Sequence, residues 1–144
     1  MWVCKTFEEL TKSELFAIYQ VRVAVFIVEQ NCPYQEVDKH DLEALHFFKK
    51  KSGDIQAYCR IIPGEESVAL GRVLTARNCR QNGLGRKLVR QALQICQEKL
   101  PALPVSIQAQ FYLKDFYASF GFQTTSSRYL EDGIPHIDMI LKRN

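Results

Sequence analysis

The 144-residue sequence contains no Cys-x-x-Cys pair, although it has five cysteines, at positions 4, 32, 59, 79 and 96. An odd number so widely spaced predicts reduced thiols rather than a disulfide framework or a zinc site, and with them a cytoplasmic location. Histidine is scarce. His40, His46 and His136 fall among acids such as Asp38 and Asp41, but at spacings that match no zinc pattern, so no metal is expected. No apolar run approaches a membrane span, and the opening segment MWVCKTFEEL carries acids where a secretory leader needs an apolar centre. A soluble protein with no membrane partner is expected. Net charge is small, +3 from 19 basic and 16 acidic residues, so an anion would have to be held by local clustering. Nucleic acid is not an expected partner, because no RNP-like motif appears and the basic residues follow one loop rather than a stripe. Internal repeats, low-complexity tracts and a Gly-x-Ser-x-Gly nucleophile elbow are also missing.

What is present is apolar residue enough, 47%, for one sizeable core in a chain too short for two ordinary domains. Residues 1–144 are therefore read as a single domain. WVCKTF reads as a strand. Thr11 and Glu14 form a capping-box signature, and Leu15, Ile18, Tyr19, Arg22 and Phe26 continue at helical spacing, which predicts a helix over about 11–26. IVEQNCPYQEVDKHDLEA then loses all periodicity around Pro33 and a run of acids, the mark of a long and therefore functional loop. LHFFKKK, IQAYCRIIP and SVALGRVLT are β-rich runs broken by SGD and PGEE, as in an antiparallel meander. From Gly83 onward Leu84, Leu88, Ala92, Ile95 and Cys96 recur at helical spacing and leave Arg86, Lys87 and Arg90 on a wet face. PVSIQAQ reads as a strand, LKDFYASFGF as a short helix closed at Gly121, and QTTSSRYLEDGIPHIDMILK as two strands around EDG. The strand–helix–strand order makes the runs at about 67–75 and 105–110 a parallel pair.

The segment RQNGLGRK sits between a strand and that long helix. Such a turn leaves backbone N–H groups unpaired at a helix N-terminus, where the dipole adds partial positive charge. Gly83 and Gly85 let a ligand approach the backbone, and Arg80, Arg86 and Lys87 offer charge-assisted contacts to phosphate. A P-loop is excluded because Gly85 is followed by Arg86 with no Ser or Thr to hold Mg²⁺. A dinucleotide fingerprint is excluded by Leu88, where its third small residue belongs.

VLTARNCRQNGLGRKLV resembles the acetyl-CoA loop of the GNAT superfamily of acyl-CoA-dependent N-acyltransferases, and FYASFGF resembles that superfamily's Phe-Tyr-x-x-x-Gly-Phe segment. More narrowly, RVAVFIVEQNCPYQEVDKHD, LGRV, QAQFYLKDFY and YLEDGIPHIDM resemble the ElaA-like subgroup of predicted acetyltransferases. The resemblance implies an α/β fold: a central mixed, mostly antiparallel sheet with a splayed parallel strand pair, flanked by helices. It implies that Gln81, Asn82, Gly83, Leu84, Gly85 and Arg86 bind the pyrophosphate of acetyl-CoA through backbone N–H groups. Val73, Leu74 and Thr75 would offer the strand edge to the pantetheine arm. Gln110 stands where many members carry an Asn that contacts the coenzyme, and Tyr117 where a tyrosine lies near its sulfur.

Two functions follow from that resemblance. One is an N-acetyltransferase joining acetyl-CoA and a small amine or lysine-like acceptor in a ternary complex, with homodimerisation left open. The other is a non-catalytic acyl-CoA-binding sensor or assembly module, to which an acid at Tyr117 would be superfluous. For the enzyme, the acids of the loops, Glu29, Glu36, Asp38, Asp41, Glu131 and Asp132, suit a cationic acceptor. Glu29 is the expected amine-binding group, and His46 or His136 the expected base.

Overall fold

Alternation along the β-rich runs decides how the layers form. In β2 (Leu45–Lys51) and β3 (Asp54–Ile62) successive side chains leave on opposite faces of the sheet. Phe47, Ala57, Cys59 and Ile61 join Leu88, Val89 and Ala92 of α2 (Leu84–Lys99) on one face. Phe48, Ile55 and Tyr58 join Ile18 of α1 (Lys12–Arg22) on the other. Both faces are covered, which is why these strands read as nearly unbroken apolar runs.

The computed structural model describes residues 1–143. Its sheet has eight strands, in the order β1 (Trp2–Thr6), β2, β3, β4 (Val68–Thr75), β5 (Val105–Gln110), β8 (Ile134–Leu141) and β6 (Gln123–Thr124), with β7 (Tyr129–Glu131) also pairing with β8. The strands β2 to β4 form the expected antiparallel meander, and β1 adds to its edge by pairing with β2. The pair β4 and β5 is parallel but joined only at Val68–Val105 and Ala69–Ser106, after which the ladder ends. A third helix, α3 (Lys114–Ala118), follows β5.

Local signals explain the element ends. Glu14 N–H donates to Thr11 Oγ1 at 3.0 Å and Thr11 N–H donates to Glu14 Oε1 at 2.9 Å, closing the capping box read from sequence. The helix expected over about 11–26 runs further. It is α-helical to Arg22 and continues over Val23–Glu29 in wider π-helical turns. Val25 and Phe26 bury there against the sheet, and the widened turns bring Glu29 and Gln30 to the edge of a cleft, a common use of π segments. The tail expected to hold two strands around EDG holds that hairpin, β7 and β8, and the short β6 besides.

Candidate active site

A β-bulge opens the sheet. Gly71 pairs with Arg60 and Leu74 with Tyr58, so Arg72 and Val73 together face the single Cys59, and Arg72 takes φ +51°. A bulge bends its strand, and here β4 turns away from β5 where their ladder stops. Gly71, a glycine within the strand, is a local sequence trace of it. Between the parted strands lies a cleft of about 1090 Å³, bounded also by β8 and the π segment.

One end of the cleft meets the glycine loop. Val73, Leu74 and Thr75 line it along the free edge of β4. The chain then passes through a short 3-10 turn, Arg77–Cys79, into a loop where Gln81 and Gly83 take φ +76° and +71°. Lys87 N–H donates to Gly83 O at 3.1 Å, so the N–H groups of Leu84, Gly85 and Arg86 precede the first intrahelical bond of α2. Gly83 is required by its backbone angle. Gly85 is not: a Cβ there would meet only Thr75 Cγ2, at an ordinary 3.8 Å. Gly85 lines the cleft, so a bare backbone at this point serves a group that comes from outside the chain.

The side chains of this loop divide. Arg80 lines the cleft, donating to Thr75 O at 3.0 and 3.2 Å and pairing with Glu29 across the mouth. The Arg80 guanidinium holds the Glu29 carboxyl below its usual range. Arg86, expected at phosphate, reaches toward α3 instead: it lies 5.4 Å from the Phe116 ring and 5.1 Å from the Phe120 ring and donates to Ser119 Oγ at 3.0 Å. Gln81, Asn82 and Lys87 are exposed beside the loop, and Leu84 turns into the core.

At the other end the cleft reaches α3 and β8. Tyr117 is held by edge-on contacts with Phe116 and Phe122, 5.1 and 5.9 Å between ring centres, and its hydroxyl has no hydrogen-bond partner among the described residues. Burial, with Cys59 and Tyr112 nearby, pushes its phenol well above the usual value, so the proton stays on the oxygen at neutral pH. His136 pairs across the ladder with Gln110, which places both on one face of the splay. Its Nδ1 lies 2.7 Å from Ile134 O; a carbonyl can only accept, so in the neutral ring Nδ1 carries the proton and Nε2 presents a lone pair. That Nε2 faces Glu131 at 3.8 Å, beyond hydrogen-bond distance. The Tyr129 ring stacks on the imidazole at 6.0 Å.

His46 is a correction. It is fully buried on β2, its Nε2 donating to Asp41 O at 2.8 Å and its Nδ1 accepting from Tyr58 hydroxyl at 2.7 Å. Burial lowers its basicity further, and it does not reach the cleft. The acids Glu36, Asp38 and Asp41, read as acceptor-binding, are held by arginines, although Asp38 also lines the cleft. Arg22, with no exposed surface, donates to both Glu36 oxygens and to both Asp41 oxygens at 2.7–3.1 Å. Arg60 bridges Asp38 and Asp41, and Arg72 pairs with Glu36. Burial alone would raise Asp41, but Arg22 and Arg60 outweigh it and hold the carboxyl below its usual range. These ion pairs fasten the loop after the π segment to β3 and β4. Cys59 is buried among apolar residues, and desolvation keeps its thiol protonated.

A sheet parted by a bulge, with a glycine-led helix N-terminus at one end of the gap and a phenol at the other, is the frame of a coenzyme A-dependent acyltransferase. The chain belongs to the GNAT family: the model of the acetyltransferase (GNAT) domain matches residues 12–143. Among its relatives is the protein ElaA of Escherichia coli K12, 43% identical over 136 residues that cover 91% of this chain and 89% of that protein. A UPF0039 protein of Schizosaccharomyces pombe is 41% identical over 98% of this chain and 96% of its own. The crystal structure of Escherichia coli ElaA superposes with a TM-score of 0.95 at 40% identity, and that of an acyl-CoA N-acyltransferase from Pseudomonas aeruginosa with 0.93 at 39%, each covering 99% of both chains. Among the described residues no helix is long and apolar enough to cross a membrane.

Proposed function

We propose that the chain, acting as one domain, is an N-acetyltransferase that moves the acetyl group of acetyl-CoA directly to a primary amine. The observation that carries this is the meeting, in one cleft, of a bare-backbone anion cradle at Gly85 with two unengaged proton-transfer groups, the Tyr117 hydroxyl and His136 Nε2. A binding module would need the cradle alone. All these groups lie on one chain, so the reaction does not require a homodimer.

The diphosphate would be held by the N–H groups of residues 81–86, with Arg80 beside them, and the pantetheine amides by the free edge at Val73 to Thr75. Gln110 faces the same gap. Bound there, acetyl-CoA supplies the reactive thioester. A backbone N–H near Val73 or Leu74 stabilises charge that builds on its carbonyl oxygen, and Tyr117 protonates the departing sulfur. An incoming amine arrives protonated. His136 Nε2 would take its proton, directly or through water. Arg80 has two anionic partners to choose between. When a diphosphate engages it, Glu29 is released from the ion pair and becomes available to a cationic amine.

Replacing Gly85 by valine is expected to leave the fold intact, since the protein has room for a Cβ, and to weaken acetyl-CoA binding at least tenfold, about 1.4 kcal/mol. Unchanged affinity by calorimetry in the folded variant would place the cradle elsewhere. For His136→Gln, the neutral-pH limb of kcat/KM is expected to disappear while acetyl-CoA binding survives. A variant that retains the parent profile removes His136 from the base role.

A further inference from the structure

The segment after the π-helical turns crosses the cleft. It is anchored on the β4 side, where Glu36 pairs with Arg22 and Arg72 and the Arg72 guanidinium lies 5.6 Å from the Tyr34 ring. It touches the opposite wall at two places. Gln110 Nε2 donates to Gln30 Oε1 at 3.3 Å, joining the segment to the end of β5, and Cys32 Sγ donates to Asp132 O at 3.4 Å, joining it to the tip of the β7–β8 hairpin. Cys32 is only 7% exposed, so the second contact is packed and not a passing touch. These bridges join residues 80 and 100 positions apart, and together they make residues 30–36 a strap over the acceptor end.

His136 lies at that same end. It is 9% exposed, and its Nε2 is without a hydrogen-bond partner among the described residues. Gln30, Cys32, Tyr34, Gln110 and His136 all line the one cleft, so the strap and the imidazole bound the same space. A molecule that enters end-on keeps both bridges. A polypeptide laid across the sheet as an added strand needs about 4.7–4.9 Å to each neighbour, through space that the two bridges cross.

We infer that the acceptor is a free small-molecule primary amine that threads beneath the strap of residues 30–36, and not an amine carried on a polypeptide. The inference rests on the amine-transfer reading above. The acids left at the hairpin, Glu131 and Asp132, are compatible with a cationic molecule, but the strap and the enclosed imidazole carry the choice of class.

The test compares acceptors on the unmodified protein with acetyl-CoA: a panel of small aliphatic and aromatic primary amines against capped lysine peptides and peptides with free N-termini. The kcat/KM for the best small amine is expected to exceed that for the best peptide at least tenfold. In parallel, calorimetry on the protein saturated with coenzyme A is expected to give heat with that amine and none with the peptide. In a Gln30→Ala, Cys32→Ala double variant, which removes both bridges, the ratio is expected to move toward one. A peptide used as well as or better than every small amine overturns the inference and leaves N-transfer standing. Acetyl-CoA binding with no acetylation of either kind of amine defeats the transfer reading itself, and the inference with it.

Discussion

Replacing Tyr117 by phenylalanine is expected to lower turnover by about 10²-fold while leaving acetyl-CoA affinity nearly unchanged, the low end of the range for loss of a general acid. The two effects separate because the ring and the hydroxyl do different things. The ring packs edge-on against Phe116 and Phe122, and phenylalanine keeps those contacts. The hydroxyl has no partner among the described residues, so its removal leaves no buried group unsatisfied and costs the fold little. Burial raises the phenol, so it is protonated across the working range, and the proton would pass to the sulfur only as negative charge builds there. Steady-state kinetics beside coenzyme calorimetry make the check. A variant with full turnover would show that water or another donor serves the sulfur.

The second large effect is on stability. Arg22→Ala is expected to destabilise the protein by about 3 kcal/mol, the lower part of the range for breaking a buried ion pair. Arg22 has no exposed surface and contacts two carboxylates, Glu36 and Asp41, which would otherwise place the loss higher. The loss is limited because Arg72 still faces Glu36 and Arg60 still faces Asp41. At this chain length the thermal midpoint should fall by roughly 10 °C. The pH dependence has a definite sign. Asp38 and Asp41 are held below their usual range by these arginines, so their contribution is fully present above the ordinary carboxylate values and is lost as pH falls through the depressed ones. The parent protein should therefore lose stability on acidification more steeply than the variant. Thermal melts of both between neutral pH and about 3 measure this, given the ordinary Asp and Glu values near 4. A variant that melts with the parent at neutral pH would mean the network adds nothing.

The network also marks the limit of what could be read from residues alone. Glu36, Asp38 and Asp41 stand in a loop without periodicity, and a loop acid is ordinarily solvated. Their partners are Arg22 on α1, Arg60 on β3 and Arg72 in the β4 bulge, up to 36 positions away, and no local pattern links them. His46 was hidden for a different reason: its partners, Tyr58 and the Asp41 carbonyl, are near in sequence, but only the folded strand brings the ring between them. Features set by near neighbours were legible. The Thr11–Glu14 cap, the meander and the amphipathic helix after Gly83 follow from local spacing, and the parallel pair around that helix from the strand–helix–strand order. The splay was expected from family resemblance, and Gly71 within β4 is its local trace. The π-helical turns left none, because the apolar run VAVFIV satisfies α-helical and π-helical packing alike.

The most direct measurement of the central claim follows thiol and product together. With acetyl-CoA and an accepted primary amine, the protein is predicted to release one free coenzyme A thiol for each N-acetylated amine found by mass spectrometry, with little thiol released when the amine is omitted. Tight acetyl-CoA binding with no amine-dependent thiol release, or thiol release without N-acetylated product, would contradict it.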